Sequence, residues 1–449
     1  MTTTAPPRRP AAPADAAQRR ILLVLVVAQV VGTVGVGVAP SVGVLLAEEV
    51  TDSETWAGLA RTASTLGAAL VGLPLGALAA RHGRRTALAT GWLAAAGGAA
   101  LLVGAAQWSS ALLLFPGLLL IGVGSAVALQ SRFAATDRAL PEHRGRALAL
   151  VVWVGTLGSV VGPNLGVPGA WISAATGLTV YASAFLVAAV ALSAAGLVVA
   201  VALRPDPLAG RTAGSGPRRA ARPAASASAA PTAPAAPTGE PAPSAPTVEP
   251  VPSARRRPFA GLATALRGSV VTRTAAAAIV SAQVVMVSIM TMTPVHMHHH
   301  GGSVTIVGLT ISLHVAGMYA LAPVVGVLAD RRGARAAVAV GLVVLAVALL
   351  LAAALPLSTP GLVAALVLLG VGWSFVNVAG STLFAQSLAA DDRAPAQGGI
   401  DAVTNLCAAV AAFASGPLLA LTGFPVLAGL ALLALVPLAV LVTRPRRWA

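Results

Sequence analysis

Histidine is the residue type in this sequence whose spacing most clearly suggests chemistry, because four of the seven histidines fall within residues 292–300. His296 and His300 are four residues apart, so a helix would place them on one face with His299 beside them. Imidazoles in this arrangement can hold a borderline metal ion such as zinc or copper. Because no carboxylate or thiolate is close in sequence, solvated histidines that titrate or gate are the simpler alternative. We therefore predict a pH-sensitive gate, with a metal site as the alternative.

A further histidine, His314, lies inside a long apolar run. With an ordinary pKa near 6.5, an imidazole takes up and releases protons at physiological pH. Ionisable side chains in apolar surroundings are costly, which makes them functional candidates by default. We predict that His314 carries a proton. The alternative is a buried, hydrogen-bonded histidine with a structural role.

Arg61 also lies inside an apolar run, shortly after the carboxylates Glu48 and Glu49. An ion pair between Arg61 and either glutamate could close one end of a pathway between helices. Alternatively, the long side chain could extend its guanidinium to the edge of the apolar region. Both interpretations predict a position near the end of a helix.

Neutral amides are the other polar groups in the apolar runs, namely Gln29, Gln283, Asn164 and Asn377. They could line a cavity that binds a small molecule. Amides also join neighbouring helices through hydrogen bonds worth about 0.6 kcal/mol each, which could be their whole role. With so few fixed charges, the cavity is expected to suit a neutral, amphipathic or weakly cationic compound.

The apolar runs themselves predict the elements that position these side chains. The 449 residues are 57% hydrophobic and only 10% charged, which nearly excludes a soluble enzyme. A helix needs about 20 apolar residues to cross ~30 Å of hydrocarbon. Twelve such runs are present, which we number spans 1 to 12: 21–47, 56–80, 86–106, 110–131, 147–168, 178–203, 270–297, 303–329, 336–357, 360–386, 398–421 and 424–443. The chain is thus predicted to be an all-α integral membrane protein with twelve transmembrane helices.

Charge distribution predicts the orientation of these spans. All 29 basic residues are arginine. All of them except Arg61 fall in or next to the segments between spans, or at the chain ends, that twelve spans place on the same side of the membrane. Arginine is retained on the cytoplasmic side, so both termini are predicted to be cytoplasmic. We call the opposite side the outer side. The net charge of +15 is then an orientation signal and not a nucleic-acid-binding surface.

Two related halves are predicted from an internal repeat. Ala28-Gln29-Val30-Val31 recurs as Ala282-Gln283-Val284-Val285, and Gly162-Pro163 recurs at the same offset as Gly416-Pro417. Such parallel repeats build one large class of secondary transporter, related by an axis along the membrane normal. The predicted organisation is an amino-terminal arm, a six-helix bundle, a flexible Pro/Ala-rich cytoplasmic linker, a second six-helix bundle and a short tail: 1–20, 21–203, 204–266, 267–443 and 444–449.

Similar loops follow spans 2 and 8, at residues 76–85 and 326–335. Small residues, a glycine and several arginines in each resemble the signature loop of the major facilitator superfamily. The resemblance covers nearly the whole chain outside the arm and linker. It implies a conformational latch formed by loop residues with a neighbouring helix end, here Asp330, Arg331, Gly333 and Arg335, with Gly83 and Arg84 in the first loop. Ala80 replaces the acid of the first loop, and Asp401 could substitute or could interact only with its own helix dipole.

Span 5 carries Gly158, Gly162 and Pro163, which resemble the Gly-Pro motif of drug/proton antiporters in that superfamily. We expect the glycines to serve close helix packing rather than substrate contact. The superfamily resemblance also implies that spans 1 and 7 line the path, which would place Gln29 and Gln283 there. The arginine that such exporters carry in the fourth helix is missing, because Leu118 and Ile121 precede Gly122 and Gly124.

Together these features predict a monomeric, proton-coupled exporter of small hydrophobic or drug-like compounds, embedded in a bacterial plasma membrane. No nucleotide-binding or catalytic motif is found, so we expect an ion gradient as the energy source and neither an enzyme, a cofactor nor a nucleic-acid partner. Uptake of a small metabolite or metal-linked species is one alternative. A membrane sensor or assembly protein that does not transport is another.

Overall fold

The computed structural model describes residues 13–140, 143–208 and 258–444, and within them every regular element is a helix. Eleven of the described helices are long and apolar enough to cross a membrane. The predicted all-α membrane architecture is therefore confirmed.

Eleven helices accommodate the twelve predicted spans because spans 2 and 3 lie in one element, Glu54–Gln107. A straight helix of its 54 residues would be about 80 Å long, far more than the ~30 Å of hydrocarbon. Gly83 interrupts it with φ 88° and ψ 163°, a backbone conformation that glycine adopts readily. Residues 54–82 form span 2 and residues 84–107 form span 3.

Spans 1 to 6 make up the amino half. Span 1 is bent through a π-helical turn at Ala39–Gly43, where Pro40 removes a backbone donor. Span 5 passes through a 3-10 turn at Gly162–Leu165, which contains Pro163. The remaining bounds are Pro13–Val36 and Val44–Thr51 in span 1, Ala111–Thr136 in span 4, Arg144–Val161 and Gly166–Thr176 in span 5, and Val180–Ala202 in span 6.

Spans 7 to 12 make up the carboxy half. Their bounds are Val270–His299 for span 7, Val304–Ala320 and Ala322–Arg332 for span 8, Ala334–Ala354 for span 9, Thr359–Gln386 for span 10, Ala390–Thr422 for span 11, and Phe424–Leu433 and Val436–Val442 for span 12. Span 11 begins eight residues earlier than its apolar run predicts, because a helix continues into polar residues that a hydropathy pattern does not count.

The predicted linker differs from the structure at its end. Residues 258–266 were expected to be flexible but belong to a helix, Pro258–Gly268. Leu262 and Leu266, one turn apart, pack against the core, which explains why this short segment is helical. Residues 209–257 of the predicted linker, 1–12 of the arm and 445–449 of the tail lie outside the described residues, whereas 13–20 extend span 1 as helix.

Within the amino half, spans 1 and 5 pack with almost no side chain between them. A Cβ atom on Gly162 would lie 2.5 Å from the Cα of Gly37, and one on Gly158 would lie 2.5 Å from the carbonyl oxygen of Val30. The fully buried ring of Trp92 in span 3 fills the space beside Gly32 in the same way. Small residues therefore bring the helices close enough for dispersion contacts between backbones.

The two halves meet near their outer ends. Gly58 in span 2 packs against the carbonyl oxygen of Ala412 in span 11, and Thr62 donates a hydrogen bond of 2.9 Å to the carbonyl oxygen of Ala409. Asn164 in span 5 donates a hydrogen bond of 2.5 Å to the hydroxyl of Ser312 in span 8. The outer side is therefore closed by direct contact between the halves.

Candidate functional site

The outer contact between the halves includes a cluster of one histidine and two carboxylates. The His299 imidazole at the end of span 7 bonds to the Glu48 carboxylate at the end of span 1. Its other ring nitrogen, Nδ1, lies 3.2 Å from a carboxylate oxygen of Glu54, at the start of span 2. The sequence indicated His299 and Glu48 separately, but it indicated neither their pairing nor Glu54.

Two other outer histidines, His296 and His300, have partners outside this cluster. Nε2 of His296 lies 2.8 Å from the carbonyl oxygen of Pro356, and its ring stacks on Phe424 with centroids 4.4 Å apart. Nδ1 of His300 lies 2.8 Å from the carbonyl oxygen of His296. Among the described residues no group of three or more histidine, cysteine, aspartate or glutamate side chains could hold a metal ion. His296 and His300 thus lie on one face of the helix, where they pack against neighbouring groups and contact backbone carbonyl oxygens.

Arg61 does not form the predicted ion pair with Glu48 or Glu49. Glu48 is taken by His299, and no acidic residue in the described part of the chain pairs with Arg61. The guanidinium instead interacts electrostatically with His314 and Tyr319 of span 8, across the interface between the halves. The electrostatic neighbours of Arg61 among the described residues therefore lie in the opposite half, and the outer carboxylates are not among them.

His314 is fully buried in span 8 beside span 10. Its Nδ1 lies 2.7 Å from the carbonyl oxygen of Leu366, and a carbonyl can only accept, so Nδ1 carries the hydrogen. Nε2 has no hydrogen-bond partner among the described residues. The structure thus contains the backbone bond expected of a structural histidine together with a free basic nitrogen at the interface of the halves.

Of the four predicted cavity amides, Gln283 has the most informative contact. The indole Nε1 of Trp373 in span 10 donates a 2.8 Å hydrogen bond to Oε1 of Gln283 in span 7. The ring of Trp373 meets that of Tyr319 edge to face, with centroids 6.3 Å apart. Spans 7, 8 and 10 thus bring an amide and two aromatic rings together, and one of these rings, that of Tyr319, interacts electrostatically with Arg61.

The other three amides are more dispersed. Gln29 donates a weak bond of 3.4 Å to the carbonyl oxygen of Ala128, and its own buried oxygen has no described partner. Asn164 bridges to Ser312 in the other half. Asn377 is half-buried in span 10 and makes no hydrogen bond to a described residue. Asn164 thus fits the alternative interpretation, in which amides join helices.

The first signature loop is held by acids that the sequence did not indicate. Arg84 pairs with Asp137 at the end of span 4, with 2.8 Å between Nε and the carboxylate oxygen. In this loop Ala80 stands where an acid is expected, and the acid that pairs with the loop is Asp137 and not Asp401. The carboxylate of Asp206, just after span 6, accepts the backbone N–H groups of Arg84 and Arg85 at 3.2 and 2.9 Å. It therefore caps the start of span 3 behind Gly83.

The second signature loop is more open. Gly333 has a φ of 83°, matching that of Gly83. Asp330 and Arg331 are exposed, and Asp330 has no partner among the described residues. Arg335 donates to the carbonyl oxygen of Val442 at 2.7 Å. Asp401 interacts electrostatically with Arg132 of span 4, in the other half, without forming an ion pair in the described part of the chain.

The Gly-Pro segment of span 5 serves two contacts. Gly158 and Gly162 abut span 1, as described above, and the carbonyl oxygen of Pro163 accepts a 3.2 Å bond from the hydroxyl of Ser41. The same carbonyl faces Gly308 of span 8. These residues contact helices in both halves.

The sequences of both helical halves match a known protein family. Residues 22–301 and 274–449 match the sequence model of the Major Facilitator Superfamily. The chain belongs to this superfamily. It is therefore a multi-pass membrane transporter and not an enzyme, as the signature loops indicated.

Two curated relatives and one solved structure illustrate the similarity. An uncharacterized MFS-type transporter of Bacillus subtilis, YddS, is 35% identical over 91% of this chain and 87% of its own length. The riboflavin transporter RfnT of Brucella anthropi is 28% identical over 94% and 96%. A bacterial homolog of the human lysosomal transporter Spinster, in an inward-facing and occupied conformation, aligns with a TM-score of 0.65 at 14% identity over 98% of both chains.

Proposed function

We propose that this superfamily member is a proton-coupled exporter of small hydrophobic or drug-like compounds that works by alternating access. The observation that carries the proposal is His314, a fully buried imidazole whose Nε2 has no hydrogen-bond partner in the described part of the chain and which interacts electrostatically with Arg61 of the other half. A positive charge on such a buried imidazole is unfavourable unless the groups around it rearrange. Its protonation is therefore suited to favour one arrangement of the halves over another.

Arg61 supplies the reason why a proton on His314 changes the conformational equilibrium. The two side chains interact across the interface. A proton on Nε2 would create a second positive charge facing the first, and like charges in a medium of low dielectric repel strongly. In our proposal the halves separate at this point when His314 is protonated and close when the proton leaves.

Resemblance to antiporters favours export as the direction. Gly158, Gly162 and Pro163 match the motif that is typical of drug/proton antiporters, and their packing against spans 1 and 8 is consistent with a bend that serves both halves. The missing arginine of the fourth helix is offset in this proposal by Arg61, which brings a cation to the interface from span 2.

The proposal is tested in proteoliposomes under an imposed pH gradient, with a panel of fluorescent drug-like dyes. Wild-type protein should move at least one dye against its gradient, in the direction opposite to the protons. His314→Gln should abolish gradient-driven movement while leaving exchange of dye across the membrane intact. Absence of gradient-dependent movement of every dye would contradict the proposal and favour a sensor or assembly protein.

Transport of a small metabolite is a second candidate, and one observation favours it. The relative RfnT is named a riboflavin transporter, and its similarity covers 94% of this chain. Counterflow of radiolabelled riboflavin into liposomes preloaded with unlabelled riboflavin discriminates the two, because counterflow needs no gradient. Rapid counterflow would favour the metabolite; none would leave the exporter proposal in place.

We further infer a monomer in the plasma membrane with both termini in the cytoplasm. The arginine-rich segments at residues 81–85 and 331–335 support this orientation. Single cysteines at Arg81 and Thr176, placed in a Cys407→Ser background, test it in intact cells. A membrane-impermeant maleimide should label the cysteine at position 176 only; labelling of position 81 would reverse the orientation.

A further inference from the structure

Arg61 of span 2 interacts electrostatically with Tyr319 of span 8 where the halves meet, and its role as a binding group rests on the function proposed above. Arginine stays protonated under all physiological conditions. A cation held among helices without a counter-ion is unfavourable by several kcal/mol, and Arg61 has no acidic partner in the described part of the chain. Its charge therefore remains available to a ligand.

Gln283 adds hydrogen-bond donors to the same region. Because an indole N–H can only donate, the Gln283 atom that faces Trp373 must be the oxygen. The NH₂ group of Gln283 then points elsewhere, and it has no acceptor among the described residues. Arg61 and Gln283 together offer only donors, so they select for a ligand rich in acceptors.

Two aromatic rings define the shape of the ligand. Tyr319 is 39% exposed, which leaves part of its ring accessible to a ligand, and it interacts electrostatically with Arg61 of the other half. Trp373 is nearly buried and its ring is steeply inclined to that of Tyr319, with an interplanar angle of 74°. Two rings at such an angle form a corner that accepts a flat group by stacking on one ring and edge contact with the other.

We propose that Arg61, Gln283, Tyr319 and Trp373 form a substrate subsite for planar organic anions, with the anionic group on Arg61 and Gln283 and the ring between Tyr319 and Trp373. This subsite replaces the expectation of a neutral or weakly cationic compound, which counted few fixed charges but assigned Arg61 to the outer gate. A carboxylate or sulfonate attached to an aromatic ring meets both requirements.

Binding to purified full-length protein in nonionic detergent tests the subsite by isothermal titration calorimetry. The probes share one ring and differ in charge: 2-naphthoate, 2-naphthalenemethanol and 2-naphthylmethylamine, with cyclohexanecarboxylate as an anion without a flat ring. Naphthoate should bind at least about tenfold more tightly than the other three, as expected for a charge-assisted hydrogen bond.

Three variants locate the binding. Arg61→Gln should weaken naphthoate binding at least about tenfold and leave the alcohol unchanged, whereas Arg61→Lys should retain most of the preference. Trp373→Leu should weaken naphthoate and alcohol alike. Arg146→Gln removes an exposed arginine at the start of span 5 and is the matched control, with no expected change.

Unchanged naphthoate affinity in Arg61→Gln, or equal affinity of wild-type protein for the alcohol or the amine, would overturn the subsite. Wild-type protein that transports a dye but binds no naphthoate would overturn it as well. Because the titration needs no gradient, failure of gradient-driven transport alongside selective naphthoate binding would refute only the proposed coupling.

Discussion

The His299 imidazole of span 7 bonds to the Glu48 carboxylate of span 1, joining residues from opposite halves at the outer side. Glu54 of span 2 extends the cluster at 3.2 Å. Together with the Asn164 bond to Ser312, this contact closes the outer side. A transporter that works by alternating access must break these contacts in every cycle, so they are direct targets for experiment.

His299→Ala should shift the protein toward an open outer side. A partly exposed ion pair contributes about 0.2–1 kcal/mol, so the ratio of open to closed molecules should rise by up to about fivefold. Spin labels on Thr176→Cys and Leu357→Cys, at exposed outer positions of opposite halves, report the change as a longer distance by double electron–electron resonance in a Cys407→Ser background. His82→Gln, an exposed histidine in a predicted cytoplasmic loop, is the control.

Closure of the outer side should weaken as the pH falls. Acid neutralises Glu48 and removes the negative charge that faces His299; His298 also acts electrostatically on Glu48 and Glu49. The same spin-labelled pair should therefore show a smaller closed fraction at low pH. In His299→Ala this pH dependence should become weaker; an unchanged pH dependence would assign the effect to other groups.

A cross-link between spans 5 and 8 should stop transport. Asn164→Cys with Ser312→Cys, joined by a short bis-methanethiosulfonate, would hold the halves together where they now share a hydrogen bond. We expect complete and reversible inhibition of dye transport, relieved by dithiothreitol. Each single-cysteine variant is a control that should keep its activity under the reagent. Full transport by the cross-linked protein would contradict a cycle in which this contact opens.

Gly162→Val should destabilise the amino half. Its side chain would meet the backbone of Gly37, and overpacking of this kind costs about 1–3 kcal/mol. Thermal unfolding in detergent, followed by tryptophan fluorescence, should show a lower midpoint. Gly97→Ala has no neighbour within 4 Å of the new methyl group and should be neutral or slightly stabilising. Equal midpoints for the valine variant and wild type would show that spans 1 and 5 are not held this closely.

Asp206→Ala should loosen the start of span 3. The carboxylate accepts two backbone N–H groups there, and loss of a helix-capping side chain costs about 0.5–2 kcal/mol. The unfolding midpoint should fall, whereas Asp330→Ala, which removes an exposed carboxylate, should leave it unchanged. Any effect of Asp330→Ala on transport rate at constant stability would support the latch that the signature loop implies.

The spans could be predicted from the sequence because crossing a bilayer requires about 20 apolar residues in a row, which is a local pattern. The bends at Pro40 and Pro163 and the break at Gly83 follow from single residues for the same reason. The membrane therefore specifies most of the architecture through short windows of sequence.

The partners of the polar side chains could not be predicted in this way. Glu48 and His299 are separated by 251 positions, and Arg84 and Asp206 by 122. Which of two neighbouring glutamates meets a histidine depends on how two bundles pack, and no local pattern records that. The sequence alone therefore pairs Arg61 with the nearest carboxylates along the chain, whereas in the structure its electrostatic neighbours, His314 and Tyr319, lie in the opposite half. Asp206 is the acid that directly follows span 6 in the sequence. Its role as a helix cap becomes evident only in the fold, where the loop that contains Gly83 lies beside it.

The central claim, exchange of a compound for protons, is tested most directly by proton flux itself. Proteoliposomes that contain the pH indicator pyranine, held without an initial pH gradient, are given an outward gradient of the transported dye. Wild-type protein should acidify the interior as dye leaves, and His314→Gln should release dye without changing the internal pH. Dye efflux by wild-type protein with no change in internal pH would contradict proton-coupled exchange.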